Sequence, residues 1–471
     1  MLKRFFAVMF VLFLVAILYV SVAHAETTFN YGAAFRLRQE IWDDVVSLDT
    51  GNVATGGFPD RNFFRLRTQL WAKADFTQQF GVYARLANEM KYFAGPFTAY
   101  KAGNDGTDPD RYDPDELIVD NLYLDAKNIF GLPIDLRIGR QDFLGPETYG
   151  EGFLLLDGTP ADGSRTFYFN AAKLRWKINQ KNSVDFVYID DPRTDVYMPS
   201  LHPAVTGGLF VDNKKVLTAS REEAFVLYGR SKIGETVSLE PYYIYKIEHG
   251  FATTPKLKLN TIGARAVVAL QNGWKIGGEF ATQFGDYESG GKWNDRTGNG
   301  GYIFVARKYE NVSLKPEFDI RYVYMSGDDA GTGDKNETFD PLFSRNPNWN
   351  ELIIYPLLNE TAAFGGAGIP GYWTNMEIIK ASLKLNFTPQ TNLLLAYQYL
   401  WAPEKPDLTR LSTTMFGDGK SRGHLPTAIL SHQFTKKLDG MLQLEYFVPG
   451  SYYSDQADNA TFFRWQLQYK I

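Results

Sequence analysis

From Glu26 onward the sequence changes character at every second residue, over runs of ten or more, and this constrains the fold more tightly than any other feature. A helix repeats its apolar residues every three or four positions, whereas a strand with one wet and one greasy face repeats them every two. In the first run Phe29, Tyr31, Ala33, Phe35, Leu37 and Ile41 alternate with Thr28, Asn30, Gly32, Arg36, Arg38 and Glu40. In the second, Phe64, Leu66, Leu70, Ala72 and Phe76 alternate with Arg65, Arg67, Gln69, Lys73 and Asp75. Two later runs set Trp274, Ile276, Phe280 and Phe284 against Lys275, Glu279 and Gln283, and Leu314, Phe318, Ile320, Tyr322 and Tyr324 against Lys315, Glu317, Asp319 and Arg321. The final run sets Phe463, Trp465, Leu467, Tyr469 and Ile471 against Arg464, Gln466, Gln468 and Lys470.

About eighteen such runs succeed one another. The joints between them alternate. Short ones, such as Thr77 to Gln79, Asn179 to Asn182, Gln271 to Gly273, Glu310 to Asn311 and Pro389 to Thr391, follow every second strand. Long ones rich in Gly, Pro, Asn and Asp fill other gaps: 43–61, 92–115, 141–165, 190–220, 327–372 and 403–423. An even strand number, short turns on one rim and long loops on the other describe a transmembrane barrel of the bacterial outer membrane. A soluble sandwich uses strands of about five or six residues, while a tilted membrane strand needs about 9 to 11.

Lipid also decides which face points where. Arg36 or Arg38 facing hydrocarbon would cost roughly 2 to 4 kcal/mol each near the midplane, so the ionic faces turn inward to water. The fold expected is therefore all-β, a single antiparallel barrel of about eighteen strands spanning 26–471. Residues 1–25 read as an export signal, with Lys3 and Arg4 before the apolar stretch Phe5 to Val20 and a small-x-small element at Ala23-His24-Ala25. With no cysteine in the chain, a disulfide scaffold, a thiolate metal site and a cysteine nucleophile are excluded. The mild acidity, a net charge of -5, gives no general affinity for nucleic acid.

The residues able to do chemistry are the inward cations. Arg36, Arg38, Arg65, Arg67, Lys73, Arg85, Lys91 and Arg137 fall on neighbouring strands, and Lys173, Arg175, Arg265, Arg321, Lys384 and Arg464 follow further along. Guanidinium groups in a narrow lumen bind carboxylates or phosphates as planar forks and favour anions. The same faces carry Glu40, Asp75, Glu89, Asp125, Asp135, Asp185, Glu240, Glu279, Glu317, Asp319 and Glu445, so a paired wall lattice without strong selectivity is the competing expectation. Histidines are scattered, and the neighbours Ser431 and His432 lack a triad context, so no catalytic residue, resident metal or cofactor is expected. Two acidic loops, one with Asp105, Asp108, Asp110, Asp113, Asp115 and Glu116 and one with Asp328, Asp329 and Asp334, offer oxygen ligands but match no EF-hand spacing; solvated loops are expected, with weak calcium binding as the alternative.

Between the fifth and sixth runs stand Arg137-Ile138-Gly139-Arg140-Gln141, a Gly-rich passage, and Asp162-Gly163-Ser164-Arg165. This order resembles the alginate export family of outer-membrane porins. The resemblance implies an 18-stranded barrel with inward-folded loops, passive passage of an anionic polysaccharide, and lumenal cations that hold uronate carboxylates. Arg140, Gln141, Asp162 and Arg165 carry over from the motif. The loop 141–165, with glycines at 145, 150, 152, 158 and 163, is expected to enter the lumen and bring Arg140 and Arg165 to the narrows. Expected partners are an anionic polysaccharide or small anions, outer-membrane lipid, and export machinery in the periplasm. The alternatives are a general diffusion porin of weak selectivity and a plugged barrel that binds a surface partner.

Overall fold

The computed structural model describes residues 27–48, 60–94, 113–156, 168–198, 200–201, 217–252, 254–333, 335–344, 349–353, 356–357, 373–409 and 415–471. The signal segment 1–25 lies outside them. So do Asp162, Arg165, the acidic stretch 105–110 and His202.

Eighteen long strands form one antiparallel sheet that closes on itself. They are β1 (Thr28–Asp43), β2 (Arg61–Asp75), β3 (Phe80–Phe93), β4 (Asp113–Ala126), β5 (Ile134–Gln141), β6 (Phe169–Lys177), β7 (Asn182–Asp191), β8 (Glu222–Ile233) and β9 (Val237–Phe251), followed by β10 (Thr254–Ala269), β11 (Trp274–Ser289), β12 (Lys292–Lys308), β13 (Glu317–Met325), β14 (Met376–Asn386), β15 (Thr391–Trp401), β16 (Ser421–Gln433), β17 (Leu438–Pro449) and β18 (Ala460–Lys470). Each pairs with its neighbours in sequence, and β1 closes the cylinder against β18, with Glu40 opposite Arg464 and Arg36 opposite Gln468. Closure leaves no unpaired edge, which a structure crossing hydrocarbon requires. No helix among the described residues is long and apolar enough to cross a membrane.

The alternation sorts the faces as expected. On β1 Tyr31 is 83% and Phe29 70% exposed on the outside, whereas Arg36 is 5% and Glu40 0% exposed on the inside. At the short-turn rim the residue just past the strand is often large, apolar and exposed, as with Phe76, Ile178, Leu270, Phe387 and Phe434, and Ile233 stands at the last position of β8. These form a collar at the interface of lipid and water. On the opposite rim β11 and β12 meet through Gly290 and Gly291, with φ of 59° and 77°, the two positive values that a tight hairpin demands. One joint is longer than its sequence suggested. The turn expected at Glu310–Asn311 runs from Tyr309 to Pro316, because Leu314 and Lys315 have positive φ and Pro316 has no N–H to give a strand ladder. The Pro316 carbonyl instead accepts the Tyr309 N–H at 3.0 Å.

Among the described residues two segments fold into the lumen. The described part of the first, 142–156, runs along the inner wall from β7 to β13: the Tyr149 hydroxyl donates to Asp185 (3.1 Å), and Glu151 meets Arg265 (3.5 Å) and Arg321 (2.5 Å). Its Phe143, Tyr149, Phe153, Leu154 and Leu155 are buried. The second lies between β13 and β14. There the Glu445 carboxylate accepts the N–H groups of Glu351 (3.1 Å) and Leu352 (2.8 Å), and Gln283 accepts the Asp340 N–H (2.8 Å). The two segments join through Phe153 stacked on Phe339 (5.4 Å) and the Phe343 N–H donated to the Leu154 carbonyl (3.1 Å).

Candidate functional site

Strand register builds the site. Antiparallel pairing places Arg36 directly opposite Arg67 and Arg38 directly opposite Arg65, so two adjacent strands present four inward guanidinium groups on two rungs. Like charges opposite one another destabilise a sheet. Two buried carboxylates offset part of this. Glu40, on β1, holds Arg38 (3.2 Å), Arg65 (3.3 Å) and Arg464 (2.7 Å), and Glu89, on β3, holds Arg65 (3.3 Å). Gln466 adds a carbonyl to Arg38 at 2.8 and 3.1 Å.

Most of the other expected cations are also held. Arg85 donates its Nε–H to both oxygens of Asp120 (2.9 and 3.0 Å) and its Nη2 to Asp142 (2.7 Å), Arg137 forks onto Asp125 (2.7 and 3.0 Å), and Arg321 binds Glu151. Arg464 bridges Glu40 and Glu351, tying the second lumenal segment to the wall. Arg140 is fixed in the wall rather than directed into open lumen. It forks onto Asp195 (2.6 and 3.0 Å), donates to Asn170 and to the Val119 carbonyl, and lies over the Tyr168 ring. Gln141 donates to the carbonyls of Gly139 and Ala171.

Two arginines differ. Among the described residues neither Arg36 nor Arg67 has a carboxylate within ion-pair distance. Arg67 donates one bond, to Gln468 (3.3 Å), while its Nε and the Nε and Nη2 of Arg36 are buried without an acceptor. Cations about 4 Å apart repel by roughly 4 kcal/mol at an effective dielectric constant of 20. Chemically, an anion placed between the rungs would relieve that repulsion and supply the missing acceptors.

On the first inner loop, burial pushes the Glu147 carboxyl up, but Lys173 at 2.6 Å and Arg175 at 3.2 Å outweigh it and hold the group below the usual carboxylate range. A cavity of about 540 Å³ lies between this loop and the wall, lined by Leu144, Glu151, Asp319, Arg321, Trp349 and Lys380 among others. No group of three or more His, Asp or Glu side chains could hold a metal ion among the described residues. His432 is occupied with Thr391 (2.8 Å) and His424 with Tyr397 (2.6 Å).

The alternating runs pointed to many of the cations and their face, but Arg230, Lys246, Arg296, Lys380 and Arg422, which the structure also pairs or buries on the inner side, were not among them. The sequence did not reveal which were neutralised, nor that Glu151, Glu351 and Asp195 would be partners from loops.

The model of the alginate export family matches residues 209–466, more than half of the chain. The chain belongs to the alginate export family. No curated protein matches it in sequence. Among solved structures it is similar to OccAB1 of Acinetobacter baumannii, at 11% identity and a TM-score of 0.56 over 94% of this chain and 96% of that one. OccAB4 of the same organism gives 12% and 0.54 over 95% and 99%, and OccK5 (OpdH) of Pseudomonas aeruginosa 12% and 0.52 over 94% and 98%. At such identities the likeness is one of fold. Family and fold together make this member of the alginate export family a channel-type barrel of the outer membrane, a class of transport proteins rather than enzymes.

Proposed function

We propose that the barrel conducts anions passively and that its cargo is an acidic polysaccharide of the uronate type. The observation that carries this reading is the Arg36–Arg67 rung, whose buried N–H groups lack acceptors among the described residues while neighbouring carboxylates are committed to Arg38, Arg65 and Arg464. A carboxylate on a passing sugar supplies both the missing charge and the missing acceptor. The membership in an alginate export family supports the same cargo. No nucleotide-binding motif accompanies the barrel, in keeping with movement down a gradient.

The test is a reversal potential in planar bilayers under a salt gradient. Wild type is expected to prefer chloride over potassium. Arg36→Glu and Arg67→Glu are expected to weaken or invert that preference, and uronate oligomers to interrupt the wild-type current. Clear cation preference in wild type, unaltered by both substitutions, overturns the reading.

A further inference from the structure

We infer that the short-turn half of the lumen carries a platform for sugar rings, made by Trp71, Tyr83 and Tyr123, that recognises the uncharged pyranose rather than its carboxylate. The inference rests on the reading above only in taking a glycan as the cargo.

The three rings sit on consecutive strands, β2, β3 and β4. Trp71 shares the inward parity of Arg65 and Arg67, and Tyr83 that of Arg85. Tyr83 lies directly opposite Tyr123, and Trp71 is one step along the diagonal. Their centroids are 6.2 Å (Trp71–Tyr83) and 5.0 Å (Tyr83–Tyr123) apart, with planes only 22° and 20° from parallel. The row is anchored at both ends. Trp71 lies against Gly32 of β1, where an added Cβ would fall 2.7 Å from the indole, and the Arg137 guanidinium of β5 covers Tyr123 at 4.1 Å. The rings thus overlap like tiles in one orientation across five strands.

Their surroundings separate them from the other lumenal aromatics. Tyr228, Tyr242, Tyr302 and Phe304 on the far wall are buried, and Tyr149 and Phe153 of the inner loop pack edge-on against Tyr228 and Tyr302. Trp71, Tyr83 and Tyr123 remain half-buried and belong to no buried hydrophobic cluster. The rings overlap one another only in part, and the aligned aromatic surface they leave exposed in a wet lumen costs hydration, so it suits a partner with an apolar face. A pyranose has one, in its axial C–H groups, and a rim of hydroxyls that needs donors and acceptors. The fork pair Arg137–Asp125, the partly exposed Arg85 guanidinium and Lys73–Asp75 supply that rim beside the rings. Trp71 follows Arg67 by four residues, roughly 13 Å along the strand. A chain of a few sugars spans that distance, with a carboxylate at the arginine rungs and a ring face on the tiles.

The test uses the full barrel in planar bilayers with two probes, β-1,4-mannohexaose, which is uncharged, and hexamannuronate. The neutral sugar is expected to block the wild-type current at millimolar concentration. Trp71→Leu, Tyr83→Leu and Tyr123→Leu keep apolar bulk without a flat face, and each is expected to shorten the neutral blocks about tenfold, while Tyr83→Phe retains them. Arg67→Glu is expected to abolish block by hexamannuronate and spare block by mannohexaose. Gel-shift on heating confirms that each variant is folded; if Trp71→Leu fails to fold against Gly32, the two tyrosine variants decide. Absence of neutral-sugar block in wild type, or equal block in the folded leucine variants, overturns the platform. Loss of anion preference with neutral block intact would count against the anion reading and for the platform.

Discussion

Glu40 shows how one residue sets the chemistry of many. It is fully buried on β1 and serves as the shared counter-ion of Arg38, Arg65 and Arg464. Removing one partner of a buried ion pair leaves uncompensated charge and typically costs about 3 to 5 kcal/mol. Glu40→Gln keeps the shape and removes the charge. It is expected to lower the temperature of the heat-induced gel shift and, in the barrels that remain folded, to increase chloride preference. An unchanged transition temperature would mean that the three arginines are neutralised by another group. Arg140 makes the opposite point: the motif that revealed it gave no sign that Asp195, 55 positions along the chain, would clamp it. A residue's charge and face are local properties. Its partner is not.

At the scale of elements, the strands and the lumenal segments differ in how they are held. Strand pairing is cooperative and parity-driven, whereas the loop 142–156 depends on a few polar anchors and an aromatic patch. Deleting Gly145–Leu156 removes a wall of the lumen and is expected to raise single-channel conductance; an unchanged value would place the conducting path elsewhere. Glu147 gives this loop a pH dependence of known sign. Its carboxyl is depressed in the folded state by Lys173 and Arg175, so its docking contribution is complete above the unfolded value of about 4.3 and is lost as pH falls through the lower folded value. Current noise from loop release is therefore expected to rise only below about pH 4, and Glu147→Gln to show that noise at neutral pH. The same noise at pH 7 in both proteins would deny Glu147 this role. The inward fold of the first loop was legible in its glycines. That of the second was obscured by its length, although Phe339, Leu342, Phe343, Trp349, Leu352 and Ile353 formed an apolar cluster that a solvated loop has no reason to carry.

For the whole molecule, the barrel joins two solvents by a wall one residue thick. Its outside meets hydrocarbon with Tyr31, Ile303, Ile320 and Phe280, and its inside meets water and ions with Arg36, Arg67 and Glu40. Such a wall cannot hide a misplaced side chain in a third environment, and a one-residue slip of a strand would turn that strand's inward arginines toward lipid. For that reason alternation alone determined the strand count, the faces and the closed architecture, and it picked out many of the lumenal cations but not Arg230, Lys246, Arg296, Lys380 or Arg422. Tertiary structure decided the rest: which arginines are neutralised, which loops fill the lumen, and which lumenal aromatics stay partly exposed. Those outcomes depend on register between strands and on loops crossing the barrel, contacts between residues as distant as Glu40 and Arg464. The period of two records which way a side chain points, and carries no information about what it meets there.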